Sequence, residues 1–282
     1  MISQKLTPHR RILTNSPLAI FFSFWAHREL IWQMVKRDVI GRYRGSLVGL
    51  AWSFFNPILM LLVYTIVFSV VFKARWGGGL EDSKADFAMT LFTGMIVHGL
   101  FAECVNRAPG LILSNVNYVK KVLFPLEVLP WIALGSALFH ASMNVLVLML
   151  FYFVANLSIP PAILLLPVLF FPLSLLTIGV SWILASLGVY IRDIGHMMAM
   201  LTTIMLFLSP VFYPASALPE PYRAWLYANP LTFIIEQARN LVFWGGKPDW
   251  IGLAVYYAVS CLVAWLGLIW FQRTRKGFAD VL

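Results

Sequence analysis

Long apolar runs constrain this chain more than any other feature of its sequence. A helix needs about 20 apolar residues to cross the roughly 30 Å hydrocarbon core of a bilayer. Six runs approach that length, at roughly 47–72, 87–106, 128–155, 163–190, 197–213 and 251–271. With 60% apolar and 12% charged residues, the chain has too little polar surface to cover a soluble globule of its size. Because the runs are unbroken rather than alternating, they predict an all-α integral membrane protein with six transmembrane helices.

The basic residues assign sides to the loops. Fifteen of the 21 Lys and Arg residues lie before residue 47, in 107–125, in 191–196 or after residue 271. Cytoplasmic loops carry the excess of Lys and Arg, so we expect both termini and the 107–125 loop in the cytoplasm. The net charge of +9 then follows from this topology and from attraction to anionic membrane lipids, and it requires no nucleic-acid partner.

The segment before the first run predicts an amphipathic helix on the membrane surface. In residues 27–44, HRELIWQMVKRDVIGRYR, one arc of the helix is apolar and the opposite side is polar. The apolar arc holds Ile31, Trp32, Val35, Val39 and Tyr43. Such a helix lies in the interface between lipid and water. We therefore divide the chain into a cytoplasmic arm, residues 1–46, and a transmembrane domain, residues 47–282.

Between the fifth and sixth runs, residues 214–249 form a segment whose apolar pieces are too short to cross a bilayer. Pro219, Pro221 and Pro230 interrupt these pieces. Proline disfavours a continuous helix, and short helices cannot span the hydrocarbon core. The sequence therefore predicts a re-entrant outer segment, which enters the membrane from the outside and returns to the same side.

The sequence carries little sign of a metal or catalytic centre. Cys104 and Cys261 lie in or beside apolar runs and have no second Cys or His at ligand spacing, so we expect no metal site. A membrane enzyme would need a cluster of carboxylates at the surface, and the sequence shows none. A proton-coupled carrier would need ionisable groups deep in the membrane. The candidates for such groups are His98, Glu103, Glu127 and His140.

Five blocks, in order along nearly the whole chain, resemble the membrane subunit of ABC-2 type exporters. They are RYRGSLVGLAWSFFNPIL after the arm, NYVKKVLFPLEVLP between runs two and three, YIRDI after run four, ANPLT in the return segment and FADVL at the C-terminus. Within that family the chain most resembles the permeases of bacterial O-antigen polysaccharide exporters. Teichoic-acid exporters are close by, and capsule-type permeases are more distant.

This resemblance implies an ATP-driven exporter of a polyprenyl-diphosphate-linked polysaccharide in the bacterial inner membrane. The chain has no nucleotide-binding motif, so ATP and Mg²⁺ would belong to a separate partner subunit, and this chain would hold no cofactor. Six spans correspond to half of such a transporter, which implies a homodimer with two ATP-binding subunits. Teichoic acid, capsule polysaccharide or a small lipophilic compound remain alternative cargoes.

The resemblance and the charge pattern together give two candidate sites on the cytoplasmic side. Cations of the arm would bind the lipid diphosphate, because the guanidinium fork fits phosphate oxygens, although plain attraction to anionic lipid is the alternative. These cations are Lys36, Arg37, Arg42 and Arg44. The first cytoplasmic loop would dock on the ATP-binding subunit, although its lysines are also explained by topology alone. The expected contacts are Leu111, Ser114, Asn115, Asn117, Lys120 and Lys121.

Two helical faces that mix aromatic rings with small polar groups form a third candidate site. Lipid offers no hydrogen-bond partner to such a face, whereas a sugar polymer has both apolar faces and polar rims. We expect these faces to line or gate a glycan path, although most aromatic residues of a membrane protein lie in interfacial belts. The residues of this set are Trp52, Phe55 and Asn56 in run one, Trp182, Ser186 and Tyr190 in run four, and Tyr222 and Trp225 in the return segment.

Overall fold

The computed structural model describes residues 19–67, 84–119 and 124–282, and within these ranges the chain forms helices joined by turns. The predicted all-α class is confirmed for this part of the chain. We number the helices of eight or more residues in chain order. They are α1 Ala19–Ala26, α2 Arg28–Arg42, α3 Trp52–Tyr64, α4 Lys84–Arg107, α5 Val128–Asn156, α6 Leu166–Tyr190, α7 Ile194–Phe207, α8 Glu220–Ala228, α9 Pro230–Phe243 and α10 Trp250–Thr274.

Five helical stretches of the described residues are long and apolar enough to cross a membrane. They are Gly49–Val67, Ala85–Gly110, Val128–Asn156, Pro161–Tyr190 and Trp250–Val281. These stretches correspond to five of the six predicted spans. The remaining run, 197–213, overlaps α7, which has 14 residues and is therefore about 21 Å long. Pro210 lies in the turn that follows α7, and proline disfavours continuation of a helix because it has no backbone N–H to donate to the preceding turn. Helix α7 is thus shorter than the bilayer core.

Helices α6 and α10 cross where each of them carries a glycine, Gly179 in α6 and Gly267 in α10. A Cβ atom at Gly179 of α6 would lie 2.6 Å from the carbonyl oxygen of Val263, and a Cβ at Gly267 of α10 would overlap the backbone of Gly179. Ala264 is fully buried in the same contact. Small residues let the two backbones approach closely, which is the usual way for helices to pack in a membrane.

Polar contacts define one end of the bundle, which we call the tail end. Arg275 Nη1, just after α10, lies 2.8 Å from Glu127 Oε2, just before α5. Tyr190 Oη, at the end of α6, donates to the carbonyl oxygen of Thr274 at 3.0 Å. The C-terminal tail therefore lies beside the end of α6 and the start of α5.

The hairpin of α8 and α9 lies at the opposite end, which we call the return end. Asn229 joins the two helices and accepts a hydrogen bond from the backbone N–H of Leu231, with Pro230 in the first position of α9. Arg239 Nε of α9 donates to the carbonyl oxygen of Thr90, near the start of α4, at 2.9 Å. These contacts place the segment 214–249 at the return end.

The arm helix α2 packs against α5 at the tail end. Ile31, Val35 and Val39 of the predicted apolar arc are buried, and a Cβ at Gly135 of α5 would meet the side chain of Val35. Trp32 stays exposed. The apolar arc of the arm is thus divided between contact with the protein and contact with the surroundings.

Candidate functional site

A first polar cluster at the tail end joins the arm to two transmembrane helices. Asp38 of α2 accepts two hydrogen bonds from Arg107 Nη2 of α4, each at 2.9 Å, and a third from Ser136 Oγ of α5 at 2.7 Å. Charge-assisted bonds of this kind are short and strong, and burial protects them in part from screening. The cluster fixes one turn of α2 between α4 and α5.

A second cluster lies one helical turn further along α2. Arg42 Nη2 lies 2.7 Å from Glu103 Oε1 of α4, and His140 Nδ1 of α5 lies 3.0 Å from the other oxygen of the same carboxylate. Arg107 Nη1 approaches Glu103 at 3.6 Å and thereby links the two clusters. The side chain of Arg42 is 38% exposed, so it can be reached from the surroundings.

A cavity of about 440 Å³ lies beside the first cluster. It is bounded by α2, the end of α4, the segment that follows α4 and the start of α5. Its polar lining consists of Arg37, Asp38, Asn106, Arg107, Ser114 and Asn115. The structure therefore brings Arg37, from the predicted diphosphate set, to the same cavity as Leu111, Ser114 and Asn115 from the predicted coupling set.

The predicted coupling segment is held firmly on the bundle. Asn115 Nδ2 donates to the carbonyl oxygen of Leu111 at 2.9 Å, and Leu111 is buried. A Cβ at Gly188 of α6 would overlap the backbone of Pro109, so the chain just before this segment lies directly on α6. Ser114 and Asn117 are exposed, whereas Lys120 and Lys121 lie outside the described residues.

A direct contact connects this segment to the arm. Arg37 Nη2 of α2 donates to Tyr118 Oη at 3.1 Å. The other predicted diphosphate ligands differ in their surroundings: Arg42 is engaged by Glu103, whereas Lys36 and Arg44 are exposed. The four cations are thus not equivalent, because two contact protein groups and two face outward.

The residues predicted to line a glycan path separate into exposed and buried groups. Trp52 and Phe55 on α3 are 41% and 49% exposed, and Asn56 beside them is also exposed. Tyr222 and Trp225 on α8 are exposed at the return end. These five side chains lie on the surface of the protomer, where a partner, a lipid or a cargo can reach them.

The α6 members of the same set contact the protein instead. Trp182 is fully buried and its indole N–H donates to the carbonyl oxygen of Glu127 at 3.1 Å. Ser186 is fully buried and lies 2.6 Å from the Thr274 hydroxyl. Tyr190 is half exposed. In this structure Trp182 and Ser186 hold α6 against the start of α5 and the end of α10.

Of the residues that form the two tail-end clusters, the sequence predicted a binding role for Arg42 alone. Glu103 and His140 are candidates only for a proton-carrier role in the sequence, and no sequence pattern distinguishes Asp38, Arg107 or Ser136. The available signal was the position of charged residues inside or at the ends of apolar runs, where they are costly unless paired. What the sequence does not show is which acid meets which base, because the partners lie far apart along the chain.

Known proteins that resemble this chain align with most of its length. The family model described as "ABC-2 type transporter" matches residues 29–243. The chain is 29% identical over 259 residues to the O-antigen export system permease protein RfbA of Myxococcus xanthus, an alignment that covers 91% of this chain and 96% of the relative. A protein of the same name from Klebsiella pneumoniae is 24% identical over 257 residues, covering 90% and 95%. The polysialic acid transport protein KpsM of Escherichia coli is 22% identical over 243 residues, covering 85% and 91%. Because the family model covers well over half of its length, this chain belongs to the ABC-2 type transporter family.

Proposed function

We propose that this chain is the membrane subunit of an ATP-driven exporter that moves a polyprenyl-diphosphate-linked, O-antigen-like polysaccharide across the bacterial inner membrane. The observation that carries this proposal is the end-to-end similarity to relatives named for O-antigen export and polysialic acid transport. The chain transports and does not hydrolyse ATP. Two separate ATP-binding subunits supply that activity to a homodimer of this chain.

The bundle crosses the membrane six times, with α7 and its following turn as the fifth crossing. Thr202 of α7 donates to Asn106 Oδ1 near the tail end of α4 at 3.0 Å. Val211, after α7, accepts a hydrogen bond from Arg239 at the return end. The segment from Ile194 to Val211 therefore extends along α4 from one end of the bundle toward the other, although α7 alone is short.

The tail end faces the cytoplasm and the return end faces outward. Among the residues that the structure describes, most Lys and Arg belong to α2 and the turn after it, the end of α4, the turn after α6 or the C-terminal tail, all at or near the tail end, as the positive-inside rule requires. Both termini are then cytoplasmic, α2 lies at the inner surface and the α8–α9 hairpin is the re-entrant outer segment. This orientation places the polar clusters of the tail end where a cytoplasmic lipid-linked substrate arrives.

The arm captures the diphosphate of the substrate at the inner surface. Lys36 and Arg44 are exposed and attract the anionic head group. Arg42 is partly exposed and uses one edge of its guanidinium on Glu103. Two oxygens of one phosphate group can accept hydrogen bonds from a guanidinium as a carboxylate does, so the diphosphate competes with Glu103 for Arg42.

The segment 111–121 is the coupling contact with the ATP-binding subunit. Its residues Ser114 and Asn117 are exposed for such a contact. The hydrogen bond between Arg37 and Tyr118 joins the arm to this segment, so a ligand that displaces the arm also shifts the coupling contact. Cargo binding and ATP use are linked through this pair of elements.

The outward face of α3 borders the glycan path at the homodimer interface. Ser53, Pro57 and Leu61 of α3 face the protein, whereas Trp52, Phe55 and Asn56 face away from it. The Asn56 amide makes no hydrogen bond with any described residue, and lipid would leave it unsatisfied. Tyr190, Tyr222 and Trp225 are exposed and complete the path or its gates, while Trp182 and Ser186 support it from within the protomer.

Deletion of the gene tests the function directly. We expect the surface polysaccharide to disappear and its polyprenyl-diphosphate-linked form to accumulate in the inner leaflet, with both effects reversed by a plasmid copy. In proteoliposomes that contain this chain and its ATP-binding partner, the lipid-linked glycan should stimulate ATP hydrolysis. An unchanged surface polysaccharide, together with ATP hydrolysis stimulated only by small lipophilic compounds, would contradict the proposal.

A capsule polysaccharide is the second candidate cargo. The similarity to KpsM and to the capsule polysaccharide export inner-membrane protein CtrC of Neisseria meningitidis favours it, at 22% and 23% identity. The lipid at the reducing end of the accumulated glycan separates the two cargoes. Mass spectrometry that finds polyprenyl diphosphate supports the first candidate, and another lipid anchor supports the second.

A further inference from the structure

A second cavity lies at the return end, away from the clusters of the arm. It has a volume of about 450 Å³, within the roughly 300–1,000 Å³ range of small-molecule sites. The turn before α8, together with α8, α9 and the residue after α9, forms its walls. The side chains that carry its chemistry are Arg223, Tyr227, Glu236, Gln237, Asn240 and Trp244.

The cavity has a rigid base. Arg239 is 1% exposed and donates to the carbonyl oxygens of Thr90, Pro210 and Val211. These bonds fasten α9 to the start of α4 and to the turn after α7. The side chains on neighbouring turns of α9 are therefore held in place before any ligand arrives, which lowers the entropic cost of binding.

Glu236 is the unexplained polar group of this cavity. Its carboxylate is partly buried and accepts no hydrogen bond from the described residues. Burial raises the pKa of this carboxyl, and the charge of Arg239 acts in the opposite direction. A partly desolvated carboxylate without a donor is costly, so its position favours a ligand that supplies hydroxyl or N–H groups.

The two amides next to Glu236 are oriented by a loop. Gln237 Oε1 accepts from the backbone N–H of Asp249 at 2.9 Å, which leaves its amino group for a ligand acceptor. Asn240 Nδ2 donates to the carbonyl oxygen of Lys247 at 3.3 Å, which leaves its carbonyl side able to accept. The cavity thus offers a donor and acceptors in fixed positions.

Aromatic rings supply the apolar part of the cavity. Tyr227 and Trp244 are each 58% exposed, so their faces remain open to a ligand. A pyranose ring has apolar C–H faces that cover an aromatic ring and hydroxyls around its rim that bond to carboxylates and amides. The combination of exposed rings, a carboxylate and two oriented amides matches that chemistry.

Charged ligands fit this cavity less well. A cation would meet Arg223 and Arg239, and an anion would meet Glu236. Both cations are also engaged by backbone carbonyls, because Arg239 donates to three of them and Arg223 donates to those of Leu218 and Ser216. A neutral ligand rich in hydroxyl groups remains.

We propose that the cavity between the 214–216 turn, α8 and α9 is a saccharide subsite that holds a short stretch of the cargo glycan as it leaves the path. The proposal rests on the proposed function in two respects. That function identifies the cargo, and it orients the return end, where the cavity lies, toward the outside. Its binding is weak, because a polymer that moves must be released at each step.

Binding by purified variants tests the subsite. The probe is a set of oligosaccharides released by mild acid from the surface polysaccharide of the source strain, and saturation-transfer NMR measures their contact with the full-length permease in nanodiscs. We expect Trp244→Ala to weaken binding at least tenfold and Glu236→Gln to weaken it several-fold. The matched controls are Trp250→Ala and Glu220→Gln, exposed residues of the same types that do not line the cavity, and these should stay within twofold of the parent protein.

Two outcomes overturn the subsite. One is a parent protein that does not bind the oligosaccharides, and the other is binding by folded Trp244→Ala and Glu236→Gln variants that equals that of the controls. The proposed function fails in a different way, because it requires loss of surface polysaccharide on gene deletion. If gene deletion abolishes the surface polysaccharide but the cavity variants bind the oligosaccharides as the controls do, only the subsite is contradicted, and the proposed function stands.

Discussion

Among the return-end residues described above, the buried Arg239 side chain donates the largest number of hydrogen bonds. It donates to three backbone carbonyls that belong to two separate segments of the chain. Two of those carbonyls, from Pro210 and Val211, lie in an irregular turn that cannot satisfy them by helix hydrogen bonds. Arg239 thus replaces the missing backbone partners and permits the chain to leave α7 at this point.

Removal of Arg239 is expected to destabilise the protein strongly. Each buried carbonyl that loses its donor costs about 1–3 kcal/mol, so Arg239→Ala should lower the unfolding temperature in detergent by many degrees. The unfolding temperature of Arg239→Lys should lie between those of the parent protein and Arg239→Ala, because one ammonium group cannot reach all three acceptors. Arg223→Ala is the matched control, since Arg223 is only partly buried and its Ser216 acceptor lies at an exposed site where water can replace the side chain. Equal melting temperatures for the two alanine variants would contradict this role.

Arg42 allows a test of whether the arm recognises phosphate or only attracts it. Arg42→Lys keeps the charge, worth about 1 kcal/mol of attraction to an anionic surface, but loses the planar fork. We expect this variant to reduce stimulation of ATP hydrolysis by the lipid-linked glycan several-fold at an unchanged membrane level. Arg44→Lys, which alters an exposed cation two residues away, should have little effect. Full stimulation in Arg42→Lys would favour plain electrostatic attraction.

At the scale of helices, the sequence predicted the long elements well because length and polarity alone determine them. The apolar runs at 128–155 and 251–271 lie inside α5 and α10, whose ends follow the change to polar residues. Helix α7 ended earlier than its run, since hydropathy averages over the turn at Pro210 and does not register where the helix stops. A run of apolar residues indicates which part of the chain is suited to the membrane interior, but it does not show where a helix ends.

The candidate site was less predictable because its partners come from different helices. The Asp38–Arg107 pair and the Arg42–Glu103 pair are 69 and 61 residues apart in sequence. Sequence periodicity places each residue on a face of its own helix, but it gives no information on which faces meet. The same limit applies to Trp182, which lies on a helical face of mixed aromatic and polar residues and packs inside the protomer.

The α6–α10 crossing gives a test at this scale. Gly179→Ala would place a methyl group against the backbone of α10, and backbone cannot move aside as a flexible side chain can. We expect a loss of roughly 1–3 kcal/mol of stability, measured as a lower unfolding temperature in detergent. Gly99→Ala is the control, because a Cβ there meets open space. If both variants have the same unfolding temperature as the parent protein, the two helices do not cross as closely as described.

For the whole molecule, the distribution of exposed side chains indicates which surfaces face lipid and which face other groups. Exposed Leu262 and Val259 on α10 are apolar and suit lipid. The outward face of α3 differs, because the polar Asn56 lies beside the aromatic Trp52 and Phe55 on a helix that otherwise suits lipid. A homodimer that meets near this face would give Asn56 water or cargo as a partner and would supply the second half of a path that one protomer cannot enclose.

Thiol accessibility distinguishes a path from a lipid-facing surface. In a Cys261→Ser background, where the remaining Cys104 is buried, Asn56→Cys or Phe55→Cys should react with a membrane-impermeant methanethiosulfonate reagent in the assembled transporter. The reaction needs a thiolate, which forms in water and not in hydrocarbon. Leu262→Cys is the control, since it is equally exposed in the protomer but lies on an apolar face. We expect the α3 variants to react at least tenfold faster than the control and to be protected by the lipid-linked glycan. Equally slow reaction at all three positions would place the α3 face against lipid, and the path would then have to run along another surface of the bundle.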